Sequence, residues 1–329
     1  MIAINKNMKL DVLDKKILYE LEKDSSQATS IIAKKLKRSK EVINFRIHRL
    51  EQNKVLLGYS AIVDMAKLGY FTFRIYIRWQ NMTQEQKEQF YDEIKTKENI
   101  WTTTVLHGKW DFAFFVGVKL DHYIESFHKV WNKILLTYKQ KIAESKIAIY
   151  SPVHNFNKHF FIDFPMKTET IERVYGSGKL VEFDALDETI LNIYASNVRT
   201  PYTKIAERLN VTSETIRLRI KQLEKKKVIV GYKININLPK IEFQGYRVDF
   251  LLKSVERNTE LFEYLKQHKY FYQVNKSIGG ADFETEIVVK SLNHLLEILE
   301  EVVRKFSDVI RAYEYFGYSE FPTLSMVPD

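Results

Sequence analysis

Three polar side chains spaced four residues apart have the chemistry to bind phosphates and read base edges. Lys40, Asn44 and His48 recur at this interval, which would place them on one face of a helix. Arg46 and Arg49 flank that face. Positively charged side chains around amide and imidazole groups can contact phosphate oxygens and the edges of bases. The alternative is an ordinary helical hairpin with a solvated basic face.

The helix that would carry these residues is predicted from 39 to 50. Ser39 can accept hydrogen bonds from the free amides of its first turn. Its apolar residues recur at spacings of three and four, as one buried stripe does: Val42, Ile43, Ile47 and Leu50. A short amphipathic helix at 30–36 precedes it, separated only by Lys37 and Arg38. Two helices with so short a turn predict a helix-turn-helix, whose second helix enters the major groove.

The same pattern occurs a second time, 173 residues later. Thr212 takes the capping position, and the apolar stripe recurs as Ile216, Ile220 and Leu223. Arg46 and Arg219 lie beside the two stripes, where they can instead cap or pair locally. The candidate DNA-binding residues are Lys40, Asn44, Arg46, His48, Arg49, Ser213, Arg217, Arg219 and Lys221.

The basic charge of the chain is concentrated in these two stretches. Residues 31–54 contain eight lysines and arginines against two glutamates, and residues 204–227 contain eight against three. The net charge of the whole chain is only +9, so the remainder is slightly acidic. Attraction to phosphate requires such a concentrated excess. It predicts double-stranded DNA as a partner, and it argues against a protein adaptor that has lost DNA binding.

Composition limits the class of protein. A chain of 329 residues exceeds what one core usually organises, so two or more domains are expected. It has no cysteine, which excludes disulfides and thiolate chemistry. Residues 1–10 lack the apolar segment of a signal peptide, and the longest apolar run, at 112–118, is too short to span a bilayer. We therefore expect a cytoplasmic protein that has no membrane partner.

The pattern after each helix-turn-helix predicts a sheet domain. From Tyr70 to Trp79 apolar and polar residues alternate, which indicates a half-buried strand. Helical and strand patterns then follow in the order strand-helix-strand-strand-helix-strand, typical of a ferredoxin-like sandwich. The predicted fold is α+β, with two tandem copies of a winged helix-turn-helix followed by such a sandwich. The predicted domains are 10–60 and 61–160, a linker at 161–182, and then 183–233 and 234–329.

An ordered set of short motifs runs through both halves. In the first half it comprises Leu13-Asp14, Ile32-Ala33, Arg46-Ile47, Leu50-Glu51 and Gly58-Tyr59, each repeated 173 residues later. Followed by a ferredoxin-like module, this set resembles the Lrp/AsnC (feast/famine) transcriptional regulators. The resemblance implies DNA binding as a dimer, edge-to-edge pairing of the second domains, and in many members an amino acid bound near a Gly-x-x-Asp turn.

That turn occurs twice, and it suggests an effector site. Glycine lets backbone amides approach a ligand carboxylate, while the aspartate could hold an ammonium group. The candidate effector-binding residues are Gly108, Asp111, Gly279, Gly280 and Asp282. Because Ala281 is small where Trp110 is bulky, the second turn is the preferred site. The alternative is a tight hairpin with a capping carboxylate. The nearby Glu284 and Glu286 are expected on an exposed sheet face, ligand or partner contacts being the alternative.

An enzyme is the main rival to a regulator, because some tetrapyrrole (siroheme-type) decarboxylases share the two-domain plan. Such an enzyme would need a pocket with histidine, tyrosine and arginine for propionates, and His107 is a lone candidate. No nucleophile–base pair or phosphate loop is evident. His122 and His128 are six residues apart, which does not place two metal ligands on one helix face. We expect no catalytic residue, no metal and no cofactor.

The duplication bears on how the chain assembles. Because one chain supplies both halves of a dimer, we expect a monomeric pseudo-dimer, or assemblies of such units, on an asymmetric DNA site. The alternative is pairing of equivalent domains between chains in a larger symmetric oligomer.

Overall fold

The computed structural model describes residues 7–97 and 99–320. Residues 1–6, and residues 321–329 of the last predicted domain, lie outside the described residues. The helices are α1 (Val12–Lys23), α2 (Thr29–Leu36), α3 (Lys40–Gln52), α4 (Gln84–Lys95), α5 (Tyr123–Tyr138), α6 (Ala185–Tyr194), α7 (Tyr202–Leu209), α8 (Ser213–Lys225), α9 (Asn258–Gln267) and α10 (Leu292–Lys305). The strands are β1 (Leu56–Val63), β2 (Tyr70–Trp79), β3 (Ile100–His107), β4 (Phe112–Lys119), β5 (Ile142–Phe156), β6 (Glu172–Tyr175), β7 (Ile229–Ile236), β8 (Gln244–Leu252), β9 (Phe271–Ile278), β10 (Phe283–Val289) and β11 (Ile310–Glu320).

The first helix of each half begins at the same kind of cap. At α1 the side chain of Asp11 accepts from the amide of Asp14, and Asp14 accepts from the amide of Asp11. Asp184 and Asp187 make the same reciprocal bonds at α6. Each box satisfies two backbone amides that a helix start leaves unpaired. The repeat in the sequence is therefore also a repeat in local structure.

Eight strands form a closed ring that contains both halves. The hydrogen-bonded order is β2-β4-β3-β11-β8-β10-β9-β5, and β5 pairs again with β2. Within each half the order strand-helix-strand-strand-helix-strand folds as predicted, and the α+β class is confirmed. The halves join edge to edge inside one chain, where β3 pairs with β11 and β5 pairs with β9.

The segment predicted as a linker is packed rather than extended away from the domains. It contains β6, which pairs with the end of β5 between Val153–Tyr175 and Phe156–Glu172. Phe161 and Ile162 are buried beside the three-helix units. Within 7–97 and 99–320, no helix has the length and apolar character needed to cross a membrane.

The strands that follow α3 and α8 pair with each other. β1 and β7 form an antiparallel ribbon in which Ser60 faces Lys233. These two residues are 173 positions apart and thus equivalent in the repeat. The two strands are therefore related by a pseudo-twofold axis, which passes between Ser60 and Lys233. The side chains at this axis are unlike. Asn235 donates to the Ser60 hydroxyl at 2.8 Å, so Ser60 is satisfied within the ribbon.

A buried ionic cluster connects the two halves inside the ring. Arg74 on β2 and Arg247 on β8 are equivalent in the repeat, and both bind the single carboxylate of Glu284 on β10. Arg247 also pairs with Asp249 at 3.0 Å, and Asn275 donates to Glu284 at 2.5 Å. Arg74 is only 1% exposed and Glu284 is fully buried. Burial opposes ionisation of Glu284, but the two guanidinium groups outweigh it and hold the pKa of this carboxyl well below its usual range.

Two expectations from the sequence are wrong at this cluster. Most of the polar face of β2 is not solvated, since Arg74 and Tyr76 are buried against the second half of the chain and only Arg78, near the end of the strand, is exposed. The glutamates of β10 are not on an exposed face either. Glu284 binds the arginines, and Glu286 accepts from the Tyr272 hydroxyl. The physical reason is the same in both cases: the second sheet covers a face that would be solvated in an isolated sandwich.

Candidate nucleic-acid interface and central cavity

The outward face of α3 has the predicted composition. Lys40, Asn44 and His48 are all exposed, and Ser39 caps the helix by accepting from the Val42 amide at 3.3 Å. Val42 itself is 40% exposed, so its place in the buried stripe was wrong. It lies in the first turn, on the side of the helix away from the core.

The equivalent helix of the second half, α8, presents a different set of groups. Lys221 is exposed, while Ser213 and Arg217 are half-buried. Arg217 pairs with the exposed Glu214 one turn earlier. That pair lies on the surface, where an ion pair contributes little and can be exchanged for a phosphate. The two faces therefore differ in both the exposure and the type of their polar groups.

Three of the candidate arginines have structural partners. Arg46 binds Asp11 and lies 3.2 Å from Asp14, while Arg49 binds the same Asp14 at 2.5 Å. Arg219 binds Asp184 at 2.7 Å and Asp187 at 3.2 Å. Asp14 and Asp187 are buried, so these arginines neutralise buried carboxylates and connect the third helix of each unit to the cap of the first.

Two apolar residues on the outward faces of α3 and α8 were not among the residues predicted to contact DNA. Phe45 is 66% exposed and Leu218 is 47% exposed, and they are equivalent in the repeat. His48 lies one turn after Phe45 on the same helix. An apolar side chain at this place can contact the methyl group of thymine. The signal in the sequence was an apolar residue outside the buried stripe at the same position in both copies.

The turn between the second and third helices is also alike in both units. Lys37 and Asn210, again 173 positions apart, both have a left-handed backbone with φ of 52°. Each donates its amide to carbonyls at the end of the preceding helix. This cap ends the second helix sharply, so that the third helix begins within three residues.

The aspartates of the two Gly-x-x-Asp turns bind backbone amides of the neighbouring strand. Asp111 accepts from Trp79 at 2.8 Å, and Asp282 accepts from Leu252 at 2.8 Å. In the second turn the amide of Ala281 donates to Glu284 at 3.2 Å. This backbone amide was expected to bind a ligand carboxylate, but it donates to a carboxylate of the chain itself.

The glycines of these turns are held by close packing. Gly279 has φ of 80°, and a side chain there would meet the carbonyl oxygen of Ile147 at 2.9 Å. A side chain at Gly280 would collide with Glu284. Gly108, with φ of 133°, packs against Phe316 and also lines the cavity described next. The effector prediction for these five residues stays a prediction.

A cavity of about 1060 Å³ lies between the β1–β7 ribbon and the mouth of the strand ring. Its apolar lining includes Trp101, Phe115, Val153 and Phe243, and its polar lining includes six tyrosines: Tyr150, Tyr175, Tyr246, Tyr272, Tyr315 and Tyr318. The charged lining residues are Lys158, Lys233 and Glu286. His107 is also in the lining. Within the described residues, no group of three or more histidine, aspartate or glutamate side chains is arranged to hold a metal ion.

Comparison with known proteins gives both family and fold. The AsnC-type helix-turn-helix domain matches residues 183–224. The transcriptional regulator LrpA of Pyrococcus abyssi is 30% identical over 128 residues, which is 39% of this chain and 91% of that protein. LrpA of Pyrococcus horikoshii is 29% identical over the same length, with the same shares of the two chains. The crystal structure of the siroheme decarboxylase NirDL covers 96% of this chain and 93% of its own, with a TM-score of 0.63 and 12% identity. That last likeness concerns the fold alone.

Proposed function

Because the chain belongs to the Lrp/AsnC family, we propose that it is a transcription regulator in which each half supplies one DNA-reading helix. The observation that carries this proposal is the exposed face of α3, where Lys40, Asn44 and His48 stand together on the most basic stretch of the chain. Its counterpart on α8 offers Arg217 and Lys221. Basic side chains of this kind neutralise phosphates, and amides read base edges.

The structural arginines divide the candidate contacts into two groups. Arg46, Arg49 and Arg219 bind buried aspartates. Their proposed role is structural: they fix the orientation of α3 and α8 relative to the first helix of each unit. Lys40 and Lys221 have no such partner among the described side chains, and they are the phosphate contacts in this proposal. Asn44, His48 and Arg217 would read bases, joined by Phe45 as a contact for thymine methyl groups.

We extend the proposal to the domain plan. Residues 10–60 and 183–233 would be two helix-turn-helix units, each flanked by one strand. Residues 61–160 and 234–329 would be the two assembly domains. The segment at 161–182, with its paired strand β6, would hold the halves in a fixed arrangement rather than act as a flexible tether.

Modulation by an amino-acid effector near Gly279, Gly280 and Asp282, or near Gly108 and Asp111, remains part of the proposal. A panel of amino acids at millimolar concentration should raise the melting temperature of the protein or change its affinity for DNA. If neither quantity changes, the ferredoxin-like domains serve assembly alone.

A second candidate function is tetrapyrrole decarboxylation. His107 and the tyrosines of the cavity favour it, and so does a fold shared along nearly the whole length with a decarboxylase, but no arginine is among the described lining residues. The similarity in sequence to named regulators favours the first candidate. Incubation with siroheme separates them: release of carbon dioxide above the level of a buffer blank would support the enzyme, and its absence would leave the regulator.

The test of DNA binding uses a duplex selected from a random pool. Fluorescence anisotropy should show affinity that falls steeply between about 50 and 200 mM salt, as expected when several phosphates are contacted. Changing Arg217→Glu and Lys221→Glu together should weaken binding at least tenfold. Lys253→Glu with Lys290→Glu, on the second sandwich, makes the same charge change away from α8 and should have little effect. Salt-independent binding, or equal loss in both double variants, contradicts the proposal.

A further inference from the structure

One cation in the lining of the central cavity forms no ion pair within the described residues. Lys233 extends from the β1–β7 ribbon into the cavity. Among the described residues its ammonium group has no hydrogen bond and no salt bridge. Lys233 is half-buried, and a cation partly removed from water is unfavourable unless an anion pairs with it. Lys233 is therefore the feature of the cavity that the fold itself does not explain.

The other charges in the cavity are already matched. Lys158 lies 3.6 Å from the buried carboxylate of Glu22, which Arg173 approaches to 3.8 Å. Glu286 lies 3.9 Å from Arg247 and accepts from the Tyr272 hydroxyl and from Gln273 at 3.3 Å. Each of these charges has an ion pair of its own, whereas Lys233 is only near enough to Glu22 and Glu286 for them to raise its pKa.

Duplication of the chain makes this arrangement possible. Lys233 faces its repeat equivalent, Ser60, at the centre of the ribbon. In a dimer of identical chains the same residue would occur twice at the axis, so two ammonium groups would meet there and repel each other. In a single chain one copy can be a small hydroxyl and the other a long cation. The axis of the pseudo-dimer thus carries one lysine directed at the cavity.

The remaining lining defines the rest of a ligand. Trp101, Phe115 and Phe243 offer flat apolar surfaces, while the tyrosines and Asn155 offer donors and acceptors around them. The volume of about 1060 Å³ is at the upper end of sites for small molecules. An amino acid would fill little of it, whereas an aromatic ring system with one acidic group matches both the lining and the single charge.

We propose that the cavity binds an aromatic monocarboxylate whose acidic group pairs with the ammonium group of Lys233. Such a ligand touches β7, and through it the ribbon that joins the two proposed reading units. Any effect on DNA affinity rests on the proposed function, but binding of the carboxylate does not, since it can be measured without DNA.

The charge state of Lys233 supplies a second readout. Burial, together with the nearby Lys158, lowers the pKa of Lys233 to about 8, against the opposing pull of Glu22 and Glu286. Arg173 also lowers it. The lysine is therefore mostly charged at neutral pH and mostly neutral at pH 9.5. The affinity for a carboxylate should fall across that interval.

Calorimetric titration of the full chain with 2-naphthoate tests the proposal, with neutral 2-naphthamide as the matched ligand. We expect one site per chain at pH 7, at least tenfold weaker binding of the amide, and at least tenfold weaker naphthoate binding at pH 9.5. Lys233→Met should reduce naphthoate affinity at least tenfold and remove its pH dependence. The exposed Lys253→Met should change it less than twofold.

Two results would overturn the proposal. One is the absence of saturable 1:1 binding of naphthoate up to millimolar concentration. The other is a Lys233→Met protein that melts cooperatively and binds naphthoate as tightly as the unaltered chain. Because neither measurement involves DNA, a protein that binds naphthoate but no duplex would contradict only the proposed regulator.

Discussion

At the scale of single residues, an arginine that binds a buried carboxylate stabilises the fold, whereas one paired on the surface contributes little. Arg219 neutralises Asp187, which is buried, whereas Arg217 pairs with an exposed glutamate. Arg219→Gln should therefore lower the free energy of unfolding by about 1–3 kcal/mol, because it leaves a buried carboxylate short of its partner. Arg217→Gln should change it by less than about 0.5 kcal/mol. Urea denaturation measures both, and equal losses would contradict these roles.

Replacing Lys233 is expected to stabilise the protein, whereas replacing Arg219 is expected to destabilise it. The folded-state pKa of Lys233, about 8, is below that of an unfolded lysine, so the charged form destabilises the fold at neutral pH. Lys233→Met should raise the free energy of unfolding at pH 7 by on the order of 2 kcal/mol, since one pKa unit is worth about 1.4 kcal/mol and solvent screens a side chain that is only half-buried.

The sign follows from proton linkage. The penalty is complete below about pH 8, where both states are protonated, and it disappears as the pH rises towards the unfolded value. The advantage of Lys233→Met over the unaltered chain should therefore shrink between pH 7 and pH 10. Thermal or chemical unfolding across this range checks it. A variant that is less stable at pH 7 would show that Lys233 is a structural residue.

At the scale of elements, the strand ring depends on a carboxylate that serves two equivalent arginines. Glu284→Gln would leave Arg74 and Arg247 buried with too little negative charge around them. Breaking one side of a buried ion pair typically costs about 3–5 kcal/mol, so we expect a loss of that order in the free energy of unfolding.

The exposed Glu314, which pairs with Lys109 at 2.8 Å across β3 and β11, is the matched control. Glu314→Gln should cost less than about 1 kcal/mol, because a solvated ion pair contributes little. Similar losses at the two glutamates would mean that the cluster inside the ring does not hold the halves together. Urea unfolding monitored by tryptophan fluorescence measures both variants.

The elements themselves follow from local patterns in the sequence. Ile43, Ile47 and Leu50 lie in the core as their spacing predicted, and Ser39 and Thr212 cap the helices that they precede. Contacts between the halves could not be predicted in this way. The burial of Arg74 and Glu284 depends on two residues that are 210 positions apart, and no periodicity within one strand reports a partner so distant.

For the candidate site, too, the features that depend on local sequence could be predicted, and those that depend on distant contacts could not. The exposed polar face of α3 could be foreseen because a helix turns through a fixed angle per residue. The pairing of Arg219 with Asp184 and Asp187 could be foreseen only as an alternative, since it depends on how α6 packs against α8. The position of Lys233 on the pseudo-twofold axis could not be foreseen, because it depends on the register of β1 against β7.

At the scale of the whole molecule, the two halves are bound to each other as unlike partners. Ala113 and Phe115 of the first half occupy the positions of Glu284 and Glu286 in the second, as the strand registers show. Two copies of the first half would therefore bury two arginines without a carboxylate between them. Pairing within the chain avoids this, and linkage gives it a high effective concentration.

We accordingly expect a monomer in dilute solution. Sedimentation equilibrium should give a mass near 39.1 kDa that does not change with concentration in the micromolar range. A concentration-dependent dimer that Glu284→Gln dissociates would instead indicate that the sandwiches pair between chains.

The number of chains on a selected DNA site shows whether one chain provides both of the proposed reading helices. Sedimentation of the complex, combined with footprinting of the same duplex, gives the number of chains and the protected bases together. We predict one chain on two half-sites of different sequence, with centres about one helical turn, or a multiple of it, apart. A perfect palindrome protected equally on both sides by two chains would contradict it.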